Sequence, residues 1–128
     1  MKNFINLMPH AVRLRRNTAN TAAEPDELDI VVEPRRDVDG KPAPARVPST
    51  PSGQLPDLGG IAAFDRTQYG AVEGLPEPSD GTIHLVSIMF AGRVGDRDDV
   101  FIPGTGPRDG TVRDAAGQVY AVTRLVKA

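Results

Sequence analysis

Proline and glycine interrupt this chain so often that a long helix has almost nowhere to form. Thirteen glycines and twelve prolines fall among 128 residues, about a fifth of the whole. Each proline fixes its own φ and lacks a backbone donor, and each glycine weakens helix and strand interiors alike. The stretches between them are short and several are rich in β-branched residues. That pattern predicts short strands joined by many turns.

Phe4 to Leu14 reads as strand, broken or bent at Pro9, because proline belongs at a strand end, an edge or a bulge. Leu28 to Glu33 is a second strand, ended by Pro34, and Asp39-Gly40 marks a tight turn. Ala45 to Val47 forms a short returning strand, and Ile61 to Phe64 another. Thr82 to Ser87 is apolar on both faces, which predicts a central strand covered on both sides. Ser87 then caps a short helix, about 88–94. Val100 to Ile102 is a strand stopped by Pro103-Gly104. Residues 111–126 form a C-terminal hairpin around Asp114-Ala115-Ala116-Gly117, with Gly117 in the left-handed position of the turn. Residues 15–27 and 48–60 read as loops, and 15–27 and 34–60 as possible extended arms. The sum is a single α+β, mostly-β domain over 1–128, with a small mixed or antiparallel sheet and one short helix.

Composition narrows the function classes. The formal net charge is −2, whereas a chain that grips phosphates along a nucleic acid carries a clear basic excess. There is no cysteine, which excludes disulfides, thiolate metal sites and a cysteine nucleophile. No apolar run approaches the roughly 18 residues of a membrane helix. The N-terminus lacks the apolar centre and small-residue cleavage site of a signal peptide and reads as the mature start.

Several segments match a pattern as a group. Asn6-Leu7-Met8-Pro9-His10-Ala11-Val12 is similar to an opening Asn-Leu-Thr-Pro-His-x-Val. Pro51-Ser52-Gly53 resembles a Pro-Ser-Gly element. Tyr69 to Pro78 resembles a Gly-Leu-Pro-x-Pro connector, and Gly81 to Ser87 resembles Gly-Thr-x-Tyr-Ile-Val-Ser. Arg97-Asp98-Asp99-Val100 and Val112 to Gly117 resemble its remaining blocks. The chain thus resembles a family of small, largely uncharacterised proteins of phages, prophages and plasmids, over most of its length except about 15–45. Met8 stands where that pattern has Thr, and His84 where it has Tyr. The resemblance implies a mobile-element setting and brings no catalytic residues with it.

Six residues are candidates for ligand binding: His10, Ser87, Arg93, Arg97, Asp98 and Asp99. His10 can bind an anion or act as an acid or base near neutral pH, or it can simply anchor a backbone carbonyl. Ser87 at a helix N-terminus would present free N–H groups to an anion. Arg93 and Arg97 can pair with a phosphate or carboxylate, and Asp98 or Asp99 with a ribose hydroxyl or a cation. The plain alternatives are a helix cap at Ser87 and a solvated loop with local ion pairs at 93–99. His84 reads as a packed core histidine, Pro103 to Pro107 as a turn, and Arg13, Arg15 and Arg16 as a solvated strand end or else a partner or anion contact. No metal or cofactor is expected.

Three functions follow. The first is a non-catalytic accessory protein of a phage or mobile element, with Ser87, Arg97 and His10 forming an anion pocket at the end of strand 82–87. It would bind a small anionic or nucleotide-like molecule or a host protein, and could counteract host defence. The second is a virion protein, a head decoration or connector component, with the extended arms ordering on neighbouring subunits. The third is a small hydrolase or nuclease using His10 with Asp98 or Asp99. A homo-oligomer in the cytoplasm of the bacterial host is expected, or the virion in the second reading.

Overall fold

The computed structural model describes residues 3–17, 21–55 and 64–128. It is a mostly-β domain with a small mixed sheet. Strands β1 (Asn3–Asn6), β6 (Thr82–Leu85), β7 (Val100–Pro103) and β10 (Leu125–Lys127) form a four-stranded sheet in the order β1-β6-β7-β10. The first three run parallel, and β10 returns antiparallel along β7. Three two-stranded units complete the fold. They are β2 (Val12–Leu14) with β3 (Ile30–Val32), β4 (Ser49–Leu55) with β5 (Phe64–Tyr69), and β8 (Val112–Arg113) with β9 (Val119–Ala121).

The apolar pattern of strand 82–87 has the expected consequence. Parallel sheets need cover on both faces, and here a cluster packs on each. Leu7, Ala45, Val86, Phe90, Val94 and Val100 form one. Val12, Val32, Leu85 and Val122 form the other. In β1, period-2 alternation sends Ile5 toward the first cluster and Phe4 toward the second.

Several sequence expectations need correction. The helix expected over 88–94 is a single 3-10 turn, Ile88–Phe90, and Ala91 already turns extended at ψ 125°. Ser87 makes no side-chain capping bond, so the helix N-terminus invoked as an anion site does not exist. The C-terminal hairpin spans β8 and β9 only. Its turn is as expected, with Gly117 at φ 80° and its N–H on the Asp114 carbonyl at 3.0 Å. Residues 125–127 leave the hairpin to pair antiparallel with β7, opposite Pro103, Ile102 and Phe101.

The loop expected over 48–60 is the third correction. Ser49–Leu55 is a strand, paired antiparallel with Phe64–Tyr69 despite Pro51, which the ladder accommodates with a register shift between Pro51 and Gly53. The expectations for 56–60 and 61–63 lie outside the described residues. Within the expected arm over 15–27, the described part around Ala22 and Glu24 is held in place. The carbonyls of Ala22 and Glu24 lie against the buried side chain of Arg15, as shown below. The turn expected over 103–107 falls later, where the Asp109 N–H closes on the Gly106 carbonyl at 3.1 Å, and Gly104 directly follows the end of β7 at Pro103. Gly104 is required there, since a Cβ would lie 2.9 Å from the Arg124 carbonyl oxygen.

Candidate functional site

The opening segment is shaped by Asn6, a buried polar residue that must satisfy its amide internally. Its Nδ2 donates to the carbonyls of His10 (2.8 Å) and Val32 (2.9 Å), and its Oδ1 accepts from the Met8 N–H (2.9 Å). These three bonds fold the chain back at Pro9 and carry it into β2. His10 is left exposed on the outside of the bend, its Nδ1 3.2 Å from the Ala11 carbonyl.

Beyond β2, Arg15 turns inward. Its side chain is 1% exposed and that of Asp29 is 2% exposed. Arg15 Nε and Nη2 donate to the two oxygens of Asp29, each at 3.0 Å, while Nη1 and Nη2 reach the carbonyls of Ala22 and Glu24. Asp29 also accepts from the Asp26 N–H and from Arg13 Nη1, both at 3.2 Å. The fork of Arg15, then the Asp26 N–H and Arg13, hold the Asp29 carboxyl well below the usual carboxylate range, overriding its desolvation. The expectation of a solvated arginine cluster fails here because a guanidinium with this many acceptors can be buried. Arg13 and Arg15 both lie against the Tyr120 ring, at 5.1 and 5.6 Å from its centroid.

A cleft opens between the Met8–Arg13 segment and residues 118–122, with Pro103 and Thr105 also contributing. Its volume is about 440 Å³, within the range of small-ligand sites. Met8, Val12 and Val122 give it apolar wall, while His10, Arg13, Thr105, Gln118 and Tyr120 give it polar and aromatic groups. None of its lining residues is acidic. Arg13 shares one carboxylate with Arg15, so the local charge beside the cleft favours an anion.

The other sequence candidates lie elsewhere. Arg97, Asp98 and Asp99 line a more open hollow at the start of β6 and β7, together with Asp80, Gly81 and Thr82. Arg97 Nε and Nη2 grip the two oxygens of Asp99 at 2.7 and 2.9 Å, and Nη2 also donates to the Pro76 carbonyl at 2.8 Å. The guanidinium lowers the Asp99 carboxyl to about 2, helped by backbone and His84 hydrogen bonds and opposed by partial burial. His84 is the packed core histidine expected, 1% exposed, with Nδ1 2.9 Å from Asp99 Oδ2. Asp98 pairs with Lys127 at 2.6 Å on the surface. Arg93 lies over the Tyr69 ring at 4.3 Å.

The anion pocket of Ser87, Arg97 and His10 is therefore not assembled. Ser87 follows the C-terminal end of β6, Arg97 sits where β6 and β7 begin, and His10 lines the cleft beside β9. The pairing of His10 with Asp98 or Asp99 fails for the same reason. Sequence reasoning missed Asn6, Asp29 and Tyr120. The available signals were an asparagine in an apolar strand shortly before Pro-His, and an aspartate just ahead of a β-branched strand in a chain that also carries three closely spaced arginines. Among the described residues no group of three or more His, Asp or Glu side chains is placed to hold a metal, and no helix is long and apolar enough to cross a membrane. No family model, curated protein or solved structure matches the chain.

Proposed function

We propose that this protein is a non-catalytic binding protein of a phage or other mobile element, holding an anionic partner in the cleft between β2 and β9. One observation carries the reading. The cleft combines a guanidinium, an imidazole, a hydroxyl, an amide and an aromatic ring with apolar wall, and it has no acidic lining. That is the make-up of a recognition site. The mobile-element setting rests on the resemblance of its motifs, and interference with host defence suits that setting. A small anionic metabolite or a segment of a host protein would both suit the charge.

Native mass spectrometry of the protein isolated from its bacterial host tests this. The expected spectrum shows a bound mass that Arg13→Ala removes while the chain stays folded by circular dichroism. A spectrum free of bound mass, or a bound mass indifferent to Arg13→Ala, overturns it.

The virion reading has its own support in the β4–β5 ribbon. Ser49 to Gly53 and Arg66 to Tyr69 are exposed, and an isolated two-stranded ribbon is only marginally stable in water. Such a ribbon suits contact with a neighbouring subunit. Mass spectrometry of purified particles decides it, and absence of the chain from them excludes it.

A further inference from the structure

Tyr120 sits where the pairing of β8 with β9 slips. Ala121 pairs with Val112 and Val119 with Arg113, so Tyr120 is an extra residue opposite none of β8. A bulge of this kind re-aims the side chain it carries, and bulges are frequent beside functional sites. Here the Tyr120 ring lines the cleft and lies against Arg13 and Arg15, whose guanidinium carbons are 5.1 and 5.6 Å from its centroid.

The two arginines share that ring and the Asp29 carboxylate, but they are not equally engaged. Arg15 is sealed and uses Nε, Nη1 and Nη2. Arg13 has a side chain 26% exposed and gives Asp29 a single bond, from Nη1 at 3.2 Å. Its Nε and Nη2 have no hydrogen-bond partner among the described residues. These two nitrogens form one edge of the planar fork, and their parallel N–H groups match the two oxygens of a carboxylate. The Asp29 bond and the Tyr120 ring hold the guanidinium in place, so little freedom is lost when that edge binds. Charge points the same way. Two guanidiniums and one carboxylate leave one positive charge, and the neighbouring Asp26 already has Arg16 at 3.5 Å. No acidic residue of the cleft lining balances it.

We propose that the cleft binds a small organic acid with one carboxylate on a compact apolar body. This deepens the binding reading above and rests on it. The carboxylate takes the Nε–Nη2 edge of Arg13. The body lies along Met8, Ala11 and Val119, which line the cleft and are not buried. A phosphate group suits the cleft less well. Phosphate sites gather helix N-termini or several cations. This lining has one guanidinium and one imidazole, and the 3-10 turn Ile88–Phe90 is no part of it.

The test is titration of the full-length protein with three probes that share one ring: benzoate, benzamide and phenyl phosphate. The Arg13 Nε and Tyr120 ring signals report binding by NMR. Benzoate should shift both and saturate, benzamide should shift neither, and phenyl phosphate should bind more weakly than benzoate. Arg13→Lys keeps the positive charge without the two-pronged edge and should weaken benzoate roughly tenfold. Circular dichroism checks that the variant is folded, and the comparison of benzoate with benzamide needs no variant. No shift with benzoate, equal binding of benzamide, or unchanged affinity in folded Arg13→Lys overturns the carboxylate assignment. Tighter, Arg13-dependent binding of phenyl phosphate also overturns it and leaves the anion reading standing. A native mass spectrum free of bound mass overturns both.

Discussion

Two arginine–aspartate pairs organise two ends of this molecule, and they differ in what surrounds them. Arg15 and Asp29 lie 14 residues apart and are sealed, with side chains 1% and 2% exposed. Arg97 and Asp99 are near neighbours in sequence, 20% and 17% exposed, and line an open hollow. The first pair closes a loop and sets the wall of the β2–β9 cleft through Arg13 and Tyr120. The second holds a local corner and anchors His84 on β6. The same chemistry thus makes a long-range strut in one place and a local clip in the other. Burial, not the pairing itself, decides how much structure depends on it.

The largest expected effect follows from removing the sealed carboxylate. Asp29→Ala takes the paired carboxylate away from a guanidinium whose side chain is 1% exposed. Stranding a buried charge is among the costliest single changes. The melting temperature should fall by on the order of 10 °C or more, read by circular dichroism. The double variant Arg15→Met, Asp29→Leu should recover part of that fall, because apolar groups of similar size need no partner. If Asp29→Ala melts with the native protein, the strut is not one.

Acid should separate the two pairs. The Asp99 carboxyl is held at about 2 against an ordinary 3.8. A depressed folded value means that its stabilisation is complete above about pH 3.8 and is lost as the pH falls toward 2. Asp29 is held lower still and keeps its contribution further into acid. Asp99→Asn should therefore cost about 1–2 kcal/mol at neutral pH, after discounting for its partial exposure. The gap between variant and native protein should narrow between pH 4 and 2. Denaturant melts across that range measure it. A gap that stays constant with pH would mean that Asp99 acts through shape alone.

The sequence reveals these two ends unequally, for a physical reason. The second pair and its corner are local: Arg97, Asp98 and Asp99 can be suspected from a few adjacent letters, as can the turn at Gly117 and the doubly covered strand 82–85. The cleft is built from residues far apart in the chain. Asn6 reaches Val32, Arg15 reaches Asp29, and β2 meets Val122. No local window contains those partners. The misread elements fail in the same way. The pairing of β4 with β5 overrides a proline that argues against a strand at 49–55, and β10 prefers the edge of β7 to continuing its own hairpin. His10 stands out from its own neighbourhood, but the cleft that gives it a setting depends on Tyr120, more than a hundred residues later.

The smallest effect should come from Asp98, the candidate that stands most in the open. Its pair with Lys127 is short, 2.6 Å, but the side chains are 86% and 56% exposed. At that exposure water competes for both charges, and holding two mobile side chains together offsets much of the attraction. The ammonium is favoured by the neighbouring Asp98, so the Lys127 pKa is raised, yet a lysine is charged at neutral pH with or without the contact. Asp98→Asn should leave the melting temperature within about 1 °C of the native value, and Arg13-dependent binding at the distant cleft should be unchanged. A clear loss of stability would place Asp98 in the structural corner with Asp99. A loss of ligand binding would move the binding site from the β2–β9 cleft to the hollow at the start of β7, reversing which of the two ends carries the function.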